Sequence, residues 1–330
     1  MTPRQRHKET RRSGRQGIAL ELHLSHTAFV TGKRLSGVVV FRLARPTSIK
    51  ALTVTVSGRE TPSGASLARA LRGTSSFFGR EVLLSGMEPP RLTSERVSQL
   101  WNAFLGRDKG RTLSPGEHTY PFSITLPASL PPSYEGKAGR IGYSVTARAQ
   151  FPLGGGLRVS ANVPVVSAPR AQRSRPIAIS YPTEGGTVHA GEVSVNLELP
   201  RRSVELGGVI GGHITINNPR RAEISGATVS LETCEWVRLS SDRELQRTRA
   251  DSAGIRPEDP TAEVIQSDFE LTVPADGVPS VEGTAISVIW LLKLSIDTSP
   301  PLELKTPIAV YAPLPDETAG TGGWADESTN

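Results

Sequence analysis

Apolar and polar residues alternate along most of this chain. Leu20, Leu22 and Leu24 alternate with Glu21 and His23, and Val193, Val195, Leu197 and Leu199 repeat the pattern, as do Phe269, Leu271 and Val273. Near the end, Ile286, Val288, Trp290, Leu292, Leu294 and Ile296 mark one face of a longer segment. An extended backbone points successive side chains to opposite faces, so a period of two predicts half-buried strands. The segments are rich in β-branched residues and separated by Gly, Pro, Asn and Ser clusters, which predicts an all-β protein of antiparallel sandwiches. No strand–helix–strand rhythm appears, which argues against a parallel nucleotide-binding sheet. One segment differs in period. Val97, Leu100, Trp101, Phe104 and Leu105 fall at i, i+3, i+4, i+7 and i+8 between Pro89-Pro90 and Gly106. That spacing predicts one amphipathic helix. It either packs on the first sandwich or presents Val97, Leu100, Trp101 and Phe104 to a membrane or partner.

The pattern is written twice. FSITLPASLPPSYEGKAGRIGYSV, from Phe122, lies over FELTVPADGVPSVEGTAISVIWLL, from Phe269, without a gap at an offset of 147. TGKRLSGVVVF, from Thr31, lies over LGGVIGGHITI, from Leu206, at an offset of 175, and that register carries IKALTVTV onto ISGATVSL. Two homologous sandwiches are the simplest account. The expected organisation is a disordered basic arm (1–16), a first sandwich (17–167), a Pro/Arg-rich linker (168–176), a second sandwich (177–313) and a disordered acidic tail (314–330). The first copy carries 28 extra residues, given by the difference of the two offsets, and they hold the predicted helix and the weakly helical GASLARALRG.

Composition narrows the class. The 330 residues suffice for two cores, and 32 Gly with 26 Pro imply many turns. A bilayer span needs about 20 apolar residues; the longest apolar run here reaches only from Val288 to Leu292. The arginine-rich start has no apolar stretch behind it, which argues against secretion. A single cysteine, Cys234, excludes an intramolecular disulfide and suits a reducing compartment. A cytoplasmic protein, peripheral to the membrane if the arm engages lipid, is the expectation. The net charge of +6 sits largely in Arg4, Arg6, Lys8, Arg11, Arg12 and Arg15, opposed by acidic residues after Pro315. Such blocks are solvated, or the arm touches anionic lipid, nucleic acid or the chain's own acidic tail. No aromatic residue interleaves the arginines, so a nucleic-acid platform is not expected.

Catalytic and ligand signals are weak. His23 and His26, three apart on a strand, face opposite sides and cannot chelate together while the strand continues. Cys234 follows an alternating strand with no neighbouring His, which suits a small structural residue better than a nucleophile. GGVIGG (207–212) precedes a strand rather than a helix and lacks the helix N-terminus of a phosphate loop. No Gly-x-Ser-x-Gly elbow is present. The sequence predicts no enzyme, no metal and no cofactor.

The block LSPGEHTYPFSITLPASLPPSYEGKAGRIGYSVTARAQF resembles the arrestin N-domain pattern, with its Gly-Glu-His-x-Tyr-Pro-Phe start, its Leu-Pro turn, Gly-Lys-Ala and a Tyr-x-Val-x-Ala strand. VSGRE (56–60) and the duplicated sandwich occur in the matching order. Ser-Tyr-Glu-Gly resembles the alpha-arrestins; the helix and the Gly-Glu-His block resemble the visual and beta-arrestins. The resemblance spans residues 17–313 and is more specific in the first half. It implies two Ig-like, arrestin-type sandwiches and a non-enzymatic adaptor binding protein partners, such as cytosolic parts of membrane proteins or trafficking complexes. By that alignment residues 61–76 occupy the loop that arrestins insert into receptors, carrying Arg69 and Arg72 with Phe77 and Phe78 at its exit. The sequence departs from the classical buried charge cluster between the domains: Lys33 and Arg34 are the charges near GKRLSGVVV, and NVPVV (162–166) has no arginine. An alternative is a bacterial regulatory protein of the sporulation-control branch of the same clan, without receptor binding. The Arg/Ala/Gly-rich composition and the lack of a tail PPxY motif motivate it.

PPSYEG (131–136) could be a polyproline-type ligand. Its duplicate reads VPSVEG (278–283), which keeps the turn residues and replaces Tyr134 with Val281. A turn before a strand would be copied in this way, so the reading is architectural, with Tyr134 packing where Val281 packs.

Overall fold

The computed structural model describes residues 10–15, 17–63, 75–86, 111–152, 154–167, 177–181, 193–238, 242–298 and 301–314. Every regular element among them is a strand. The first half holds β1 (Thr10–Arg15), β2 (Ile18–Leu24), β3 (Phe29–Val30), β4 (Arg34–Leu43), β5 (Thr47–Ile49), β6 (Ala51–Pro62) and β7 (Ser75–Gly86). It continues with β8 (Arg111–Leu113), β9 (Gly116–Thr125), β10 (Tyr134–Gly136), β11 (Gly139–Gln150), β12 (Gly156–Val163) and β13 (Val165–Val166). One sheet runs β1-β2-β4-β9; the other runs β10-β11-β6-β7, with β12 also on β11. The second half repeats this with β14 (Ile177–Tyr181), β15 (Ser194–Leu199), β16 (Ser203–Glu205), β17 (Val209–Asn217), β18 (Ala227–Arg238) and β19 (Asp242–Ile255). It ends with β20 (Val264–Thr272), β21 (Val281–Glu282), β22 (Ile286–Ile296) and β23 (Leu302–Tyr311). Its sheets run β14-β15-β17-β20 and β16-β23-β22-β18-β19, with β21 on β22. The all-β, two-sandwich expectation holds.

Alternation becomes packing as expected. Leu20, Leu22 and Leu24 of β2 are buried in the first core, and the six alternating positions of β22 from Ile286 to Ile296 are buried, Trp290 being 1 % exposed. Each such large side chain contributes about 1.5–3 kcal/mol on leaving water. The repeat is reproduced in register and hydrogen bonding. Gly37 pairs with Phe122 across β4 and β9, and Gly212 pairs with Phe269 across β17 and β20. In both, a Cβ would run into the neighbouring strand's carbonyl oxygen (His23 or Glu198) and the phenylalanine ring. Only glycine fits such a close approach. The Tyr143 hydroxyl donates to Pro131 O at 2.5 Å, and Trp290 Nε1 donates to Val278 O at 2.9 Å, at positions related by the offset of 147. Val165 N donates to Ser133 Oγ at 3.0 Å, and Val310 N to Ser280 Oγ at 2.9 Å.

Two expectations need restating. The predicted helix over Val97, Leu100, Trp101 and Phe104 lies outside the described residues, and no helix occurs among the described ones. Part of the arm expected to be disordered, Thr10–Arg15, is β1, paired antiparallel with β2. Unpaired backbone groups on the edge of β2 accept a further strand irrespective of its side-chain charge, which charge patterning cannot show. No helix among the described residues is long and apolar enough to cross a membrane.

Candidate functional site

The surface built by both halves of the chain is the joint between the sandwiches. The first core continues across it: Tyr134, Ala138 and Ile141 belong to one buried apolar cluster with Val237, Val281, Ile286 and Val288 of the second sandwich. Two carboxylates sit in this apolar contact. Glu60, at the end of β6, is 0 % exposed. Its Oε1 accepts from Ala285 N at 2.9 Å and Ile286 N at 2.6 Å, and its Oε2 from Thr284 N at 3.0 Å. These donors are main-chain groups of the turn between β21 and β22. Three N–H bonds replace the carboxylate's lost hydration, the condition for burying such a group. Gly283 makes the approach possible, because a Cβ there would collide with Glu60 Oε1.

Glu235, near the end of β18, reaches the other way. Its Oε2 accepts from Ala138 N at 3.0 Å and from the Tyr134 hydroxyl. Burial, with the Glu235 hydrogen bond second, pushes the Tyr134 phenol above its ordinary range. Burial, with the charge of Glu60 second, does the same for Tyr143. Both phenols are therefore held as neutral donors through the ordinary pH range. The joint offers bonded polar groups and apolar contact between the two sandwiches.

The structure places the sequence-predicted residues as follows. Phe78 is buried in the first core, and Phe77 packs edge-on against Tyr143 with ring centroids 5.6 Å apart. Both lie on β7, while Arg69 and Arg72 lie outside the described residues. Arg11, Arg12 and Arg15 are on β1; Arg4, Arg6 and Lys8 lie outside the described residues, as does the tail from Pro315. His23 is on β2, whereas His26 follows the strand and stacks edge-on against Phe29. Among the described residues no His, Cys, Asp and Glu cluster suits a metal ion. Cys234 is buried on β18. GGVIGG forms the start of β17 from Val209 on, as GKRLSG forms the start of β4 from Arg34 on. Tyr134 and Val281 are both buried and occupy equivalent hairpins, pairing with Ile141 and Val288. The tyrosine adds a hydroxyl bond across the joint that the valine cannot make.

Sequence reasoning missed Glu60 and Glu235. The signal was available: they are related by the same offset of 175 that aligned the preceding strands.

Comparison with known proteins covers the first sandwich. The arrestin (or S-antigen) N-terminal domain family matches residues 18–166. Arrestin domain-containing protein 1 of Rattus norvegicus is 29% identical over 137 residues, 42% of this chain and 26% of that protein. The Homo sapiens protein of the same name is 30% identical over 134 residues, 40% of this chain and 26% of its own length. Arrestin domain-containing protein 17 of Caenorhabditis elegans is 30% identical over 128 residues, 38% of this chain and 28% of that protein. The match thus spans about a quarter of the length of these relatives. Residues 18–166 thus match an arrestin N-terminal domain, and the second sandwich is a structural repeat of the first.

Proposed function

We propose that this protein is an adaptor that binds cytosolic segments of membrane proteins or components of trafficking complexes. The observation that carries this reading is the arrestin N-terminal domain over residues 18–166, joined to a second sandwich through the Glu60 and Glu235 contacts. A non-enzymatic role accords with the adaptor role of the family at large. Its partner is a protein, and the docking element is the segment between β6 and β7. Phe77 and Phe78 pack inward near the start of β7, and the proposed contact residues are Arg69 and Arg72, which lie outside the described residues. The basic residues Arg4, Arg6, Lys8, Arg11, Arg12 and Arg15 supply an auxiliary contact to an anionic surface that weakens with salt.

The test is affinity capture from the native host with the full chain, the chain lacking residues 64–74, and Arg69→Ala/Arg72→Ala. Loss of the same membrane-protein partners in both variants, with the unfolding midpoint unchanged, is expected. A partner set indifferent to both changes would exclude docking through this segment.

A further inference from the structure

The joint has a symmetry that its covalent connectivity hides. Glu60 and Glu235 are equivalent under the offset of 175, while Ala138 and Ala285, and Gly136 and Gly283, are equivalent under the offset of 147. Glu60 of the first sandwich accepts from Ala285 N of the second at 2.9 Å; Glu235 of the second accepts from Ala138 N of the first at 3.0 Å. A Cβ on Gly283 would strike Glu60 Oε1, and one on Gly136 would lie 2.8 Å from Glu235 Oε2. Each sandwich therefore presents one glutamate at the end of a strand and one glycine-opened hairpin, and each glutamate enters the other's hairpin. Residue i meets j and j meets i, the defining pattern of an isologous interface. The joint is a pseudo-two-fold dimer contact formed within one chain.

A face that binds its own structural copy in this reciprocal way carries both halves of the recognition. We propose that the joint face of the first sandwich (Glu60, Tyr134, Gly136, Lys137 and Ala138) is self-complementary, and that it docks the same face of a second copy of this chain when its own second sandwich is displaced. The differences between the two faces favour this pairing. In a contact between two first sandwiches, Lys137 takes the place of Thr284, whose N–H lies 3.0 Å from Glu60 Oε2. Lys137 is exposed in the present joint, so in the new contact it adds a solvated positive charge at the rim beside the carboxylate. Gly139 takes the place of Ile286, which removes a side chain from the contact. Tyr134 takes the place of Val281, so each glutamate also gains the phenol donor that Glu235 now has. Within one chain the tether gives the second sandwich a large effective concentration, so the intramolecular joint wins and the face stays covered.

The experiment disables the second face and leaves the first intact. In the full chain, Gly283→Asp sets a carboxylate against Glu60 from the second sandwich's hairpin; Thr284→Asp does the same from the next position. Sedimentation across the micromolar range is expected to show a monomer–dimer equilibrium for both variants and a monomer for the unaltered chain. Adding Gly136→Asp, which blocks the first face by the same geometry, is expected to abolish the dimer. Lys137→Glu in the Gly283→Asp chain is expected to weaken it about threefold or more, as reversing a charge at the rim of a contact does. Monomers at all concentrations for both single variants would overturn the proposal, as would a dimer that survives Gly136→Asp. Loss of the β-sheet circular dichroism signal in both single variants would also overturn it, since the second face would then be inseparable from its own fold.

Discussion

The two sandwiches share their interior devices and differ on their outer faces. Inside, the Tyr143–Pro131 and Trp290–Val278 bonds coincide, as do the Gly37 and Gly212 close approaches and the serines that bind Val165 and Val310. Outside, β6 and β11 of the first sandwich carry Ser57 bonded to Ser144 at 3.0 Å, and Thr146 bonded to Ser160 at 2.9 Å. At equivalent positions of β22 the second sandwich carries Leu291 in place of Ser144 and Ile289, 39 % exposed, in place of Gly142. The lesson is that the repeated sequence encodes what a sandwich needs to close, whereas the outer face is free to diverge. The joint shares part of this conservation: Glu60 and Glu235, Gly136 and Gly283, and Ala138 and Ala285 coincide, while Tyr134, Lys137 and Gly139 differ from Val281, Thr284 and Ile286.

The comparison is broken most severely at the joint's carboxylates. Glu60→Ala strands three main-chain N–H groups in a buried contact and is expected to cost about 3 kcal/mol or more. Glu235→Ala removes the acceptor of the Tyr134 hydroxyl at a half-buried site, while Ala138 N keeps the Tyr134 oxygen at 3.1 Å, and is expected to cost about 1–2 kcal/mol. Denaturant unfolding of both variants measures the ratio, and equal losses would contradict the unequal burial. Next come the paired interior bonds. Trp290→Phe removes both the Val278 bond and core volume and should lose about 2–3 kcal/mol, while Tyr143→Phe removes the Pro131 bond alone, about 1 kcal/mol. Thermal unfolding midpoints should fall in that order.

A smaller effect is expected from pH. The folded-state pKa values of Tyr134 and Tyr143 lie above the ordinary phenol value near 10. Their neutral forms are favoured by folding, so the corresponding stability is fully present below about pH 10 and is lost as pH rises beyond it. Tyr134→Phe and Tyr143→Phe should each flatten the alkaline limb of a stability–pH curve; a limb unchanged in the double variant would refute the assignment. The smallest effect sharpens the contrast instead of breaking it. Leu291→Ser with Ile289→Gly gives the second sandwich the first one's outer residues; half-buried Leu291 should cost about 1 kcal/mol, and exposed Ile289 about 0.5 kcal/mol apart from the glycine's strand penalty, roughly 0.5–1 kcal/mol more.

Much of the fold was legible because alternation and duplication are local or ungapped signals. The six alternating positions of β22, the leading glycines of β4 and β17, and the shared Pro-Ser-x-Glu-Gly turn could all be read along the chain. The strand β1 could not, because edge pairing depends on backbone groups rather than on side-chain pattern. The joint was half legible. Tyr134 and Val281 were read as equivalent packing residues, but Glu60 looked like one more charged residue at a strand end. Its role depends on main-chain N–H groups at Thr284, Ala285 and Ile286, which are more than two hundred residues away and carry no side-chain signature.

The central claim is that Glu60 and Glu235 together hold the sandwiches as one body. Electron–electron distance measurements between spin labels at Arg158→Cys on β12 and Glu270→Cys on β20 test it, both positions being exposed while the native Cys234 is buried. A single narrow distance distribution is predicted for the otherwise unaltered chain, with broadening and a shift for Glu60→Ala/Glu235→Ala. An equally narrow distribution at the same distance in that double variant would contradict the account.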